Sequence, residues 1–435
     1  MSRLSRMLGK KMFSVYFPQL FRYFKRALKK ITVFFLLLCF GLTAVFPCAA
    51  QGAELDLTAE SAILVDARSG KVLYEKDPHK KLYPASMTKL MTMVLAMEAL
   101  QAQRVKMEDV VTASEHAASF RGSRIFLTAG EQLSFKEMLL GVALASGNDA
   151  AVAVAEHVAG SHEAFVKLMN QKAAELGMKN THFVNCNGLH DPEHYTTAAD
   201  FALLGRYALN FPELLELCSI KHYRIREDTK CPFQYDNKNK LLWFYPGTDG
   251  FKTGWTEEAK YCFVGTCLRN NLRLISVVLG VPAPKGHFAE TQKLFNYGFS
   301  QFAFREFYQK DEVVGEVKVG KGLTEGLKAV PEEKVGITLP RGEEQKVQAE
   351  VELLPLVNAP VQKGQVVGHV SIVKDDEVLQ RTNLIAAEEV PKGSYWKMVR
   401  KVFRGLLAGK SNLDQSMQAE KSVLVDKSIL AAMVK

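Results

Sequence analysis

The chain is organised around Pro84-Ala85-Ser86-Met87-Thr88-Lys89, which opens an apolar run over residues 90–100. The run is rich in Leu, Met and Ala and contains neither Gly nor Pro, so it predicts a buried helix. A proline such as Pro84 suits the start of a helix. Ser86 is therefore expected in the first turn. Lys89 is expected on the same face, because residues three apart on a helix are neighbours.

Ser86 and Lys89 form a candidate nucleophile and base. A serine hydroxyl is a weak nucleophile at its ordinary pKa and needs a base within hydrogen-bond reach. A lysine can be that base if burial or nearby positive charge lowers its pKa, and the apolar helix provides burial. The same spacing is also common for a capping serine followed by a surface lysine. The pair therefore becomes informative only together with other motifs.

The charge of the chain is unevenly distributed. The formal net charge is +9 over 435 residues, but residues 1–50 hold nine Lys or Arg residues and no Asp or Glu. The rest of the chain has 47 basic and 47 acidic residues. Because this remainder is neutral, the overall basicity gives no argument for nucleic-acid binding, and we expect no nucleic-acid partner.

Residues 1–50 have the pattern of a secretory signal peptide. A basic segment precedes an apolar stretch at residues 31–46, and the small residues Cys48-Ala49-Ala50 follow. A charged region, an apolar region and a small-residue cleavage site in this order predict export and cleavage. The alternative is an uncleaved membrane anchor, for which the apolar stretch is short. A lipid-modified Cys48 is less favoured, because Phe46-Pro47 precedes it.

The cysteines show no regular framework. Two of the seven fall in the signal segment, and the others are Cys186, Cys218, Cys231, Cys262 and Cys267. An odd number without regular spacing predicts mostly buried thiols rather than a set of disulfides or a zinc site. Cys218 and Cys231 are the only candidate pair.

Residues 55–305 predict an α/β domain. Two strand-like segments flank a Gly-containing turn at residues 67–70 and predict a β-hairpin. A second hairpin is predicted from residues 261–268 and 272–280, with its turn at Arg269-Asn270-Asn271. The helices predicted after the Ser86 helix cover residues 151–158, 161–176, 201–209 and 291–304.

The C-terminal part of the chain differs in amino-acid composition and in the length of its apolar runs. Residues 310–388 are rich in Val in short runs, which predicts a small all-β domain with strands at 312–319, 334–339, 348–354 and 365–373. Residues 391–410 place Trp396, Val399, Phe403 and Leu406 on one helical face, with basic residues around much of the rest. This pattern predicts an amphipathic helix at a membrane surface or, alternatively, one packed on the β domain. Residues 411–435 have no assignment.

Three short motifs occur in order along the chain: Ser86-x-x-Lys89, Ser146-Gly147-Asn148 and Lys252-Thr253-Gly254. Each is weak alone, but the trio occurs in class A β-lactamases and penicillin-binding proteins. With its flanking residues, the sequence resembles the D-alanyl-D-alanine carboxypeptidases, which are low-molecular-weight penicillin-binding serine peptidases. The flanking matches are Asp149-Ala150, Asn187-Gly188-Leu189, Tyr195-Thr196-Thr197-Ala198 and Asp249-Gly250-Phe251.

The resemblance covers about residues 55–390 and implies a fold and a setting. The fold would be an α/β (α+β) catalytic domain of the β-lactamase/transpeptidase type, then a small all-β domain and a C-terminal amphipathic helix. The partners would be peptidoglycan stem peptides and β-lactam antibiotics, and no metal or other cofactor is implied. The protein would lie outside the cell, attached to the outer face of the cytoplasmic membrane through the 391–410 helix.

The resemblance also implies a serine D-Ala-D-Ala carboxypeptidase reaction. Ser86 would attack the carbonyl between the two terminal D-alanines of a stem peptide, and Lys89 would take its proton. Ser146 would relay a proton to the leaving amine. Asn148 would hold the substrate amide and orient Lys89.

The third motif would bind the substrate. Lys252 would supply positive potential that helps to keep the catalytic lysine neutral and attracts an anionic substrate. Thr253 would hydrogen-bond the terminal carboxylate, and Gly254 would let the strand approach closely. The backbone N–H groups of Ser86 and Trp255 would form the oxyanion hole.

Two positions depart from the family pattern. Lys260, in Ala259-Lys260-Tyr261, stands where a glycine is usual. His287 lies where many relatives carry a nearby Arg that assists binding of the terminal carboxylate, and a histidine would be charged only part of the time near pH 7. Both departures bear on the preference for the terminal carboxylate.

A metal site at His190-Asp191-Pro192-Glu193-His194 is an alternative for that segment. Two histidines four apart could chelate zinc on a helix, but Pro192 argues against a helix there. We therefore favour a loop without metal.

Two other functions share the motifs. A class A β-lactamase also needs a general-base glutamate in a Glu-x-x-Leu-Asn context, and the nearest candidate, Glu163, has the wrong spacing. A non-catalytic penicillin sensor is the second alternative, against which the intact Ser86, Lys89, Lys252 and Thr253 argue.

Overall fold

A computed structural model describes residues 55–227 and 232–393. The predicted signal segment, Cys231, residues 394–410 of the predicted amphipathic helix and the 411–435 tail lie outside these residues. Within the described ranges, no helix combines the length and hydrophobicity that a membrane span requires.

The strands of the described ranges are numbered in chain order. They are β1 (Ser61–Asp66), β2 (Val72–Lys76), β3 (Val110–Thr112), β4 (Gln132–Ser134), β5 (His222–Ile225), β6 (Phe233–Asp236), β7 (Thr248–Thr256), β8 (Lys260–Arg269), β9 (Leu272–Val281), β10 (Phe302–Tyr308), β11 (Gly315–Gly320), β12 (Gly326–Pro331), β13 (Val335–Pro340), β14 (Val347–Leu353), β15 (Val357–Asn358), β16 (Val366–Lys374) and β17 (Glu377–Ala386).

The helices lie mainly between β2 and β10. They are α1 (Lys89–Gln101), α2 (Glu115–Ser119), α3 (Phe135–Leu140), α4 (Asn148–Ala159), α5 (His162–Glu175), α6 (Ala198–Ala208), α7 (Pro212–Ser219), α8 (Leu241–Phe244) and α9 (Gly286–Gln301). Two of these helices adjoin a turn of a different helical type. A tighter 3₁₀ turn at Ala85–Thr88 directly precedes α1, and a wider π-helical turn at Gly141–Ala145 directly follows α3.

A five-stranded antiparallel sheet forms the centre of the first part, in the order β2-β1-β9-β8-β7. Helices cover both of its faces: Gly298 of α9 packs on Leu274, and Gly205 of α6 packs on Ile275, the next residue of β9. Consecutive strand residues point to opposite faces, so α9 and α6 lie on opposite sides. In the described part of the chain, β7 is an edge strand, with one side left free of a strand partner.

The predicted buried helix is confirmed as α1. Nearly all of its side chains are buried, and it packs against α4, α5, α6 and α7. Burying each Leu or Met side chain stabilises the fold by about 1.5–3 kcal/mol, so α1 is firmly held. The two predicted hairpins are also confirmed as β1–β2 and β8–β9. Asn270 and Asn271 turn the second hairpin with φ of 48° and 62°, a left-handed conformation that asparagine tolerates.

The helix predicted at residues 291–304 has different ends. α9 begins at Gly286 and ends at Gln301, and the next seven residues form β10, which pairs with β13. The prediction of helix through Phe304 was therefore wrong. The segment Phe302–Tyr308 is rich in aromatic residues, which favour strands, and pairing with β13 outweighs continuation of the helix.

The small all-β domain is confirmed. A six-stranded sheet has the order β14-β16-β17-β12-β11-β15, and β10 and β13 form a second sheet of two strands. Val335 and Leu339 of β13 share one apolar core with side chains of the larger sheet such as Val317, Leu327 and Ile372. Strands β12, β15 and β17 were not predicted, because their segments lack a Val-rich run as regular as the others.

The cysteines of the described ranges match the expectation of buried thiols. Cys186, Cys218, Cys262 and Cys267 are free and buried. Burial raises the pKa of Cys186, Cys218 and Cys262 to about 12, so these thiols stay protonated at neutral pH.

Candidate active site

The Ser86 and Lys89 side chains meet as the sequence predicted. Ser86 lies in the 3₁₀ turn, Lys89 is the first residue of α1, and Lys89 Nζ lies 3.0 Å from Ser86 Oγ. Lys89 Nζ also lies 2.7 Å from Asn148 Oδ1 and 2.5 Å from the carbonyl oxygen of Asn187. Both of those partners only accept hydrogen bonds, whereas a serine hydroxyl can donate as well as accept.

Burial controls the charge of Lys89. The side chain is fully buried, and the loss of hydration lowers its pKa from 10.5 to about 7. The positive charge of Lys238 lowers the pKa further, whereas the negative charge of Asp149 opposes the shift. A substantial fraction of Lys89 is therefore neutral near pH 7, with a lone pair free to take a proton.

The second motif contacts the same nitrogen through Asn148. Ser146 follows the π-helical turn in a left-handed conformation with φ of 60°, and its hydroxyl is buried without a hydrogen-bond partner among the described residues. Asn148 begins α4, and its Nδ2 donates to the carbonyl oxygen of Arg121 at 2.6 Å while its Oδ1 faces Lys89. Since both ends of the amide are engaged, its orientation is fixed.

Asp149 holds the neighbouring loop in place. Its carboxylate is fully buried and accepts hydrogen bonds from the backbone N–H groups of Ile125, Leu127 and Ala150 at 2.9–3.1 Å. The backbone N–H of Asn148 donates to the Ser123 carbonyl at 2.7 Å. Hydrogen bonds of Asn148 and Asp149 therefore tie the start of α4 to residues 123–127.

The third motif lies on the edge strand β7. Lys252 is buried, and its Nζ donates to the Thr253 carbonyl at 3.0 Å. The pKa of Lys252 lies well below its ordinary value, mainly because the side chain is buried. Repulsion from Lys89 and Lys238 lowers it further. Lys89 and Lys252 therefore repel each other when both are charged, and the charge of Lys238 lowers the pKa of both.

Gly254 permits the close approach that the sequence suggested. A Cβ atom there would lie 2.7 Å from the Pro84 carbonyl oxygen and 3.1 Å from the Met87 backbone nitrogen, so any larger residue would push β7 from the 3₁₀ turn. The next residue, Trp255, is 57% exposed. Thr253 lies between Gly254 and the buried Lys252, and is half-buried.

The two departures from the family pattern differ in their surroundings. Lys260 is exposed and opposes Thr256 at the end of the β7–β8 hairpin. His287 is buried and stacks on Tyr261 with ring centroids 5.5 Å apart, and burial lowers its pKa to about 4. The expectation of a partly charged His287 near pH 7 was therefore wrong, because burial disfavours the imidazolium.

Both ring nitrogens of His194 take part in hydrogen bonds, so neither is free to bind a metal. Its Nδ1 accepts a hydrogen bond from the Val184 N–H at 3.2 Å, so Nε2 carries the proton and donates to Thr88 Oγ1 at 2.8 Å. Burial lowers the pKa of His194 to about 4. Across residues 55–227 and 232–393, no three His, Cys, Asp or Glu side chains are grouped as metal ligands would be. Glu163, the candidate base of a β-lactamase, is exposed in the first turn of α5.

Comparison with known proteins agrees with the motifs. A model of the D-alanyl-D-alanine carboxypeptidase family matches residues 48–283, just over half of the 435 residues. The chain belongs to the D-alanyl-D-alanine carboxypeptidase family. A second model, of the C-terminal domain of penicillin-binding protein 5, matches residues 302–392.

Relatives in this family extend over both parts of the chain. The chain is 42% identical to the D-alanyl-D-alanine carboxypeptidase DacF of Bacillus subtilis over 373 residues, which cover 85% of this chain and 96% of the relative. The crystal structure of penicillin binding protein 5 from Haemophilus influenzae is 35% identical with a TM-score of 0.64, covering 78% of this chain and 99% of that one. Penicillin-binding protein D2 of Listeria monocytogenes, solved with ampicillin bound, is 31% identical with a TM-score of 0.51, covering 56% of this chain and 99% of that one.

Two residues of this family member were missed as site residues by sequence reasoning. Gly188, with φ of 83°, touches the 3₁₀ turn: a Cβ there would lie 1.8 Å from the Ala85 carbonyl oxygen and 2.9 Å from the Ser86 nitrogen. Its Asn-Gly dipeptide was a possible signal for such a turn. Lys238 has an exposed side chain, donates to Ser123 Oγ at 2.6 Å and lowers the pKa of Lys89 and Lys252. No motif surrounds it, so only the folded chain reveals it.

Proposed function

We propose that this protein is a serine-type D-Ala-D-Ala carboxypeptidase that removes the terminal D-alanine from the pentapeptide stems of peptidoglycan. The observation that carries the proposal is the buried Lys89 nitrogen, 3.0 Å from the Ser86 hydroxyl, with a pKa of about 7. A neutral amine in this position can take the serine proton as the hydroxyl attacks a carbonyl.

The acylation step uses the residues of all three motifs. Ser86 Oγ bonds to the carbonyl carbon of the penultimate D-alanine, and its proton passes to Lys89 Nζ. The backbone N–H groups of Ser86 and Trp255 stabilise the oxyanion. The proton then passes through the Ser146 hydroxyl, which is buried without a hydrogen-bond partner among the described residues, to the amide nitrogen. The C–N bond breaks and free D-alanine leaves.

Deacylation repeats the same chemistry with water. A water oxygen attacks the ester carbonyl on Ser86, and Lys89 accepts the proton. As the ester C–O bond breaks, the proton returns to Ser86 Oγ, which restores the enzyme and releases the shortened stem. Asn148 contributes by accepting a hydrogen bond from Lys89 Nζ, which holds the amine in place.

The cations beside the site favour a substrate that ends in a carboxylate. Lys252 is buried, and Lys238 lies close enough to lower its pKa. An anion between these groups would restore the charged form of each, which is a gain in binding free energy. Thr253, on the exposed edge of β7, supplies the hydroxyl that hydrogen-bonds the carboxylate.

The setting of the reaction is the outer face of the cytoplasmic membrane. Residues 1–50 direct export, residues 55–305 form the catalytic domain and residues 310–388 form the small β domain. The 391–410 helix attaches the protein to the membrane surface. Support for this comes from the signal-like pattern and from the basic amphipathic pattern of the sequence. β-Lactams acylate Ser86 in place of the stem.

Mass spectrometry of the purified protein after incubation with benzylpenicillin tests the nucleophile. A single adduct is expected on the wild type and on Ser300→Ala, which removes an exposed hydroxyl of α9, and none on Ser86→Ala. Release of D-alanine from a diacylated tripeptide ending in D-Ala-D-Ala tests the reaction. A folded wild type without an adduct would contradict the proposal. An adduct without peptide turnover would indicate a sensor, and preferential hydrolysis of a chromogenic cephalosporin would indicate a β-lactamase.

A further inference from the structure

The 3₁₀ turn that carries Ser86 holds one residue in an unusual backbone conformation. Ala85 has φ of 46°, in the left-handed region that residues with a Cβ rarely adopt. Ser86 follows Ala85 directly, so the direction of the nucleophile depends on a backbone conformation that is unfavourable by itself. Such a conformation persists only where the surrounding structure holds it. The contacts of this turn with the rest of the protein therefore decide where Ser86 Oγ lies.

Thr88 ends the turn and directs its side chain to a residue far away in the sequence. A threonine at the start of a helix usually accepts a hydrogen bond from the backbone of that helix, but Thr88 makes no such capping bond with α1. Its Oγ1 accepts instead from Nε2 of His194 at 2.8 Å. Both residues are buried, so water does not compete for this bond.

His194 is held in the orientation that this hydrogen bond requires. Its Nδ1 accepts from the Val184 N–H at 3.2 Å, which leaves the ring proton on Nε2. The ring packs edge to face against Phe183, with centroids 5.6 Å apart. Burial also lowers the pKa of His194 to about 4, so the imidazole is neutral near pH 7. His194 therefore acts as a hydrogen-bond donor to Thr88.

The segment that carries His194 also holds the candidate base. The carbonyl oxygen of Asn187 accepts from Lys89 Nζ at 2.5 Å. Residues 182–196 thus contact the turn through His194 and the amine through Asn187. A proton passes from Ser86 to Lys89 only while the two side chains stay within hydrogen-bond distance. One segment that binds both parts fixes their separation.

We propose that His194 is a positioning residue for the reaction: by donating to Thr88, it fixes the turn that directs Ser86 toward Lys89. This inference rests on the proposed function, because it takes Ser86 as the nucleophile and Lys89 as the base. His194 acts through Thr88 and moves no proton itself. A displacement of the nucleophile by about 1 Å can slow the chemical step by about a hundredfold.

The test measures acylation of the full chain by benzylpenicillin at increasing concentrations, which separates the rate constant at saturation from the half-saturating concentration. In His194→Asn the shorter amide can still accept from Val184 but does not reach Thr88. The saturating rate constant should then fall by about ten- to hundredfold, while the half-saturating concentration stays within about twofold. His194→Gln extends an amide N–H to the position of Nε2 and should keep the rate constant within about threefold of the wild type.

Thr88→Val tests the other partner of the bond. It removes the acceptor at nearly constant volume and should slow acylation as much as His194→Asn does. The double variant should be no slower than either single variant, because both changes remove the same hydrogen bond. His182→Asn is the matched control, because it makes the same substitution on the same segment, where His182 Nδ1 contacts the Glu193 carbonyl oxygen at 2.7 Å. It should acylate at the wild-type rate.

The outcomes separate this inference from the proposed function. A folded wild type that is not acylated overturns both. If the wild type is acylated, but folded His194→Asn and Thr88→Val reach its saturating rate constant, His194 supports the fold alone, and only the inference is overturned. Losses that multiply in the double variant would also overturn it, since the two residues would then act separately. Should His194→Asn not fold, Thr88→Val decides: a wild-type rate constant overturns the inference.

Discussion

Lys89 Nζ lies 3.0 Å from Ser86 Oγ, and its two other hydrogen-bond partners are carbonyl oxygens that can only accept. A neutral amine has two N–H bonds and one lone pair. If both N–H bonds go to Asn148 and Asn187, the lone pair is left for the serine proton. The geometry therefore allows the neutral lysine to accept the proton of Ser86, and the lowered pKa makes that form available near pH 7.

The first prediction concerns the pH dependence of acylation. Below about pH 7 Lys89 is protonated and cannot accept the serine proton, so the second-order rate of acylation by benzylpenicillin should rise with pH and level off above about pH 7. Stopped-flow or quenched mass spectrometry between about pH 5.5 and 8.5 measures this. A flat profile over that range would show that Lys89 is not the base.

The second prediction concerns Lys238. Its charge lowers the pKa of Lys89, so Lys238→Met should move the rise of the acylation profile to higher pH. Lys238→Arg keeps the charge and should leave the rise near its wild-type position. Loss of the cation should also raise KM for peptides ending in a free carboxylate. An unshifted profile in Lys238→Met, with the protein folded, would refute the electrostatic coupling.

The motifs made the centre of this site predictable from sequence, because their spacing follows from helix and strand geometry. Ser86 and Lys89 are three apart on one helical face, and Gly254 marks a close approach of β7. The central hairpins and the Val-rich β domain were predictable for the same reason, since period-two patterns and turn residues identify strands.

What sequence reasoning missed depends on long-range contacts. Lys238 acts on Lys89 from a distant part of the sequence, and no local pattern encodes their proximity. The charge of His287 was mistaken for a similar reason, because its pKa follows from burial within a stack of rings. The strand β10 replaced the end of a predicted helix because it pairs with β13, which follows β11 and β12 in the chain.

The third prediction compares two glycines with the same backbone conformation. Gly188 and Gly160 have φ of 83° and 81°, so alanine is strained at both. The strain costs about 1–2 kcal/mol at each site. At Gly160 a Cβ would meet no atom within 4 Å, but at Gly188 it would lie 1.8 Å from the Ala85 carbonyl oxygen.

Gly188→Ala should therefore displace the 3₁₀ turn that carries Ser86 and slow benzylpenicillin acylation by at least about tenfold, beyond the loss of stability that the strain alone causes. Gly160→Ala should lose stability only and acylate at the wild-type rate. Thermal unfolding and acylation rates of the two variants measure the contrast. Equal acylation rates would mean that the Gly188 contact does not position the serine.

The last prediction concerns stability in acid. Burial lowers the pKa of His287 from 6.5 to about 4, so between these pH values the unfolded chain binds a proton that the folded chain does not. Stability is thus lost as pH falls from about 6.5 to about 4. The size of this loss between about pH 7 and pH 5 is about 2 kcal/mol for such a shift.

His287→Phe keeps a ring against Tyr261 and removes the titrating group, whose Nδ1 has no hydrogen-bond partner among the described residues. The free energy of unfolding in urea should then fall by about 2 kcal/mol less between about pH 7 and pH 5 than in the wild type. His194, with a pKa also about 4, still titrates in this variant, so part of the acid sensitivity should persist. If His287→Phe loses stability as steeply as the wild type, the imidazole is not excluded from water in the folded protein, and its contacts with Tyr261 and Phe288 do not shield it.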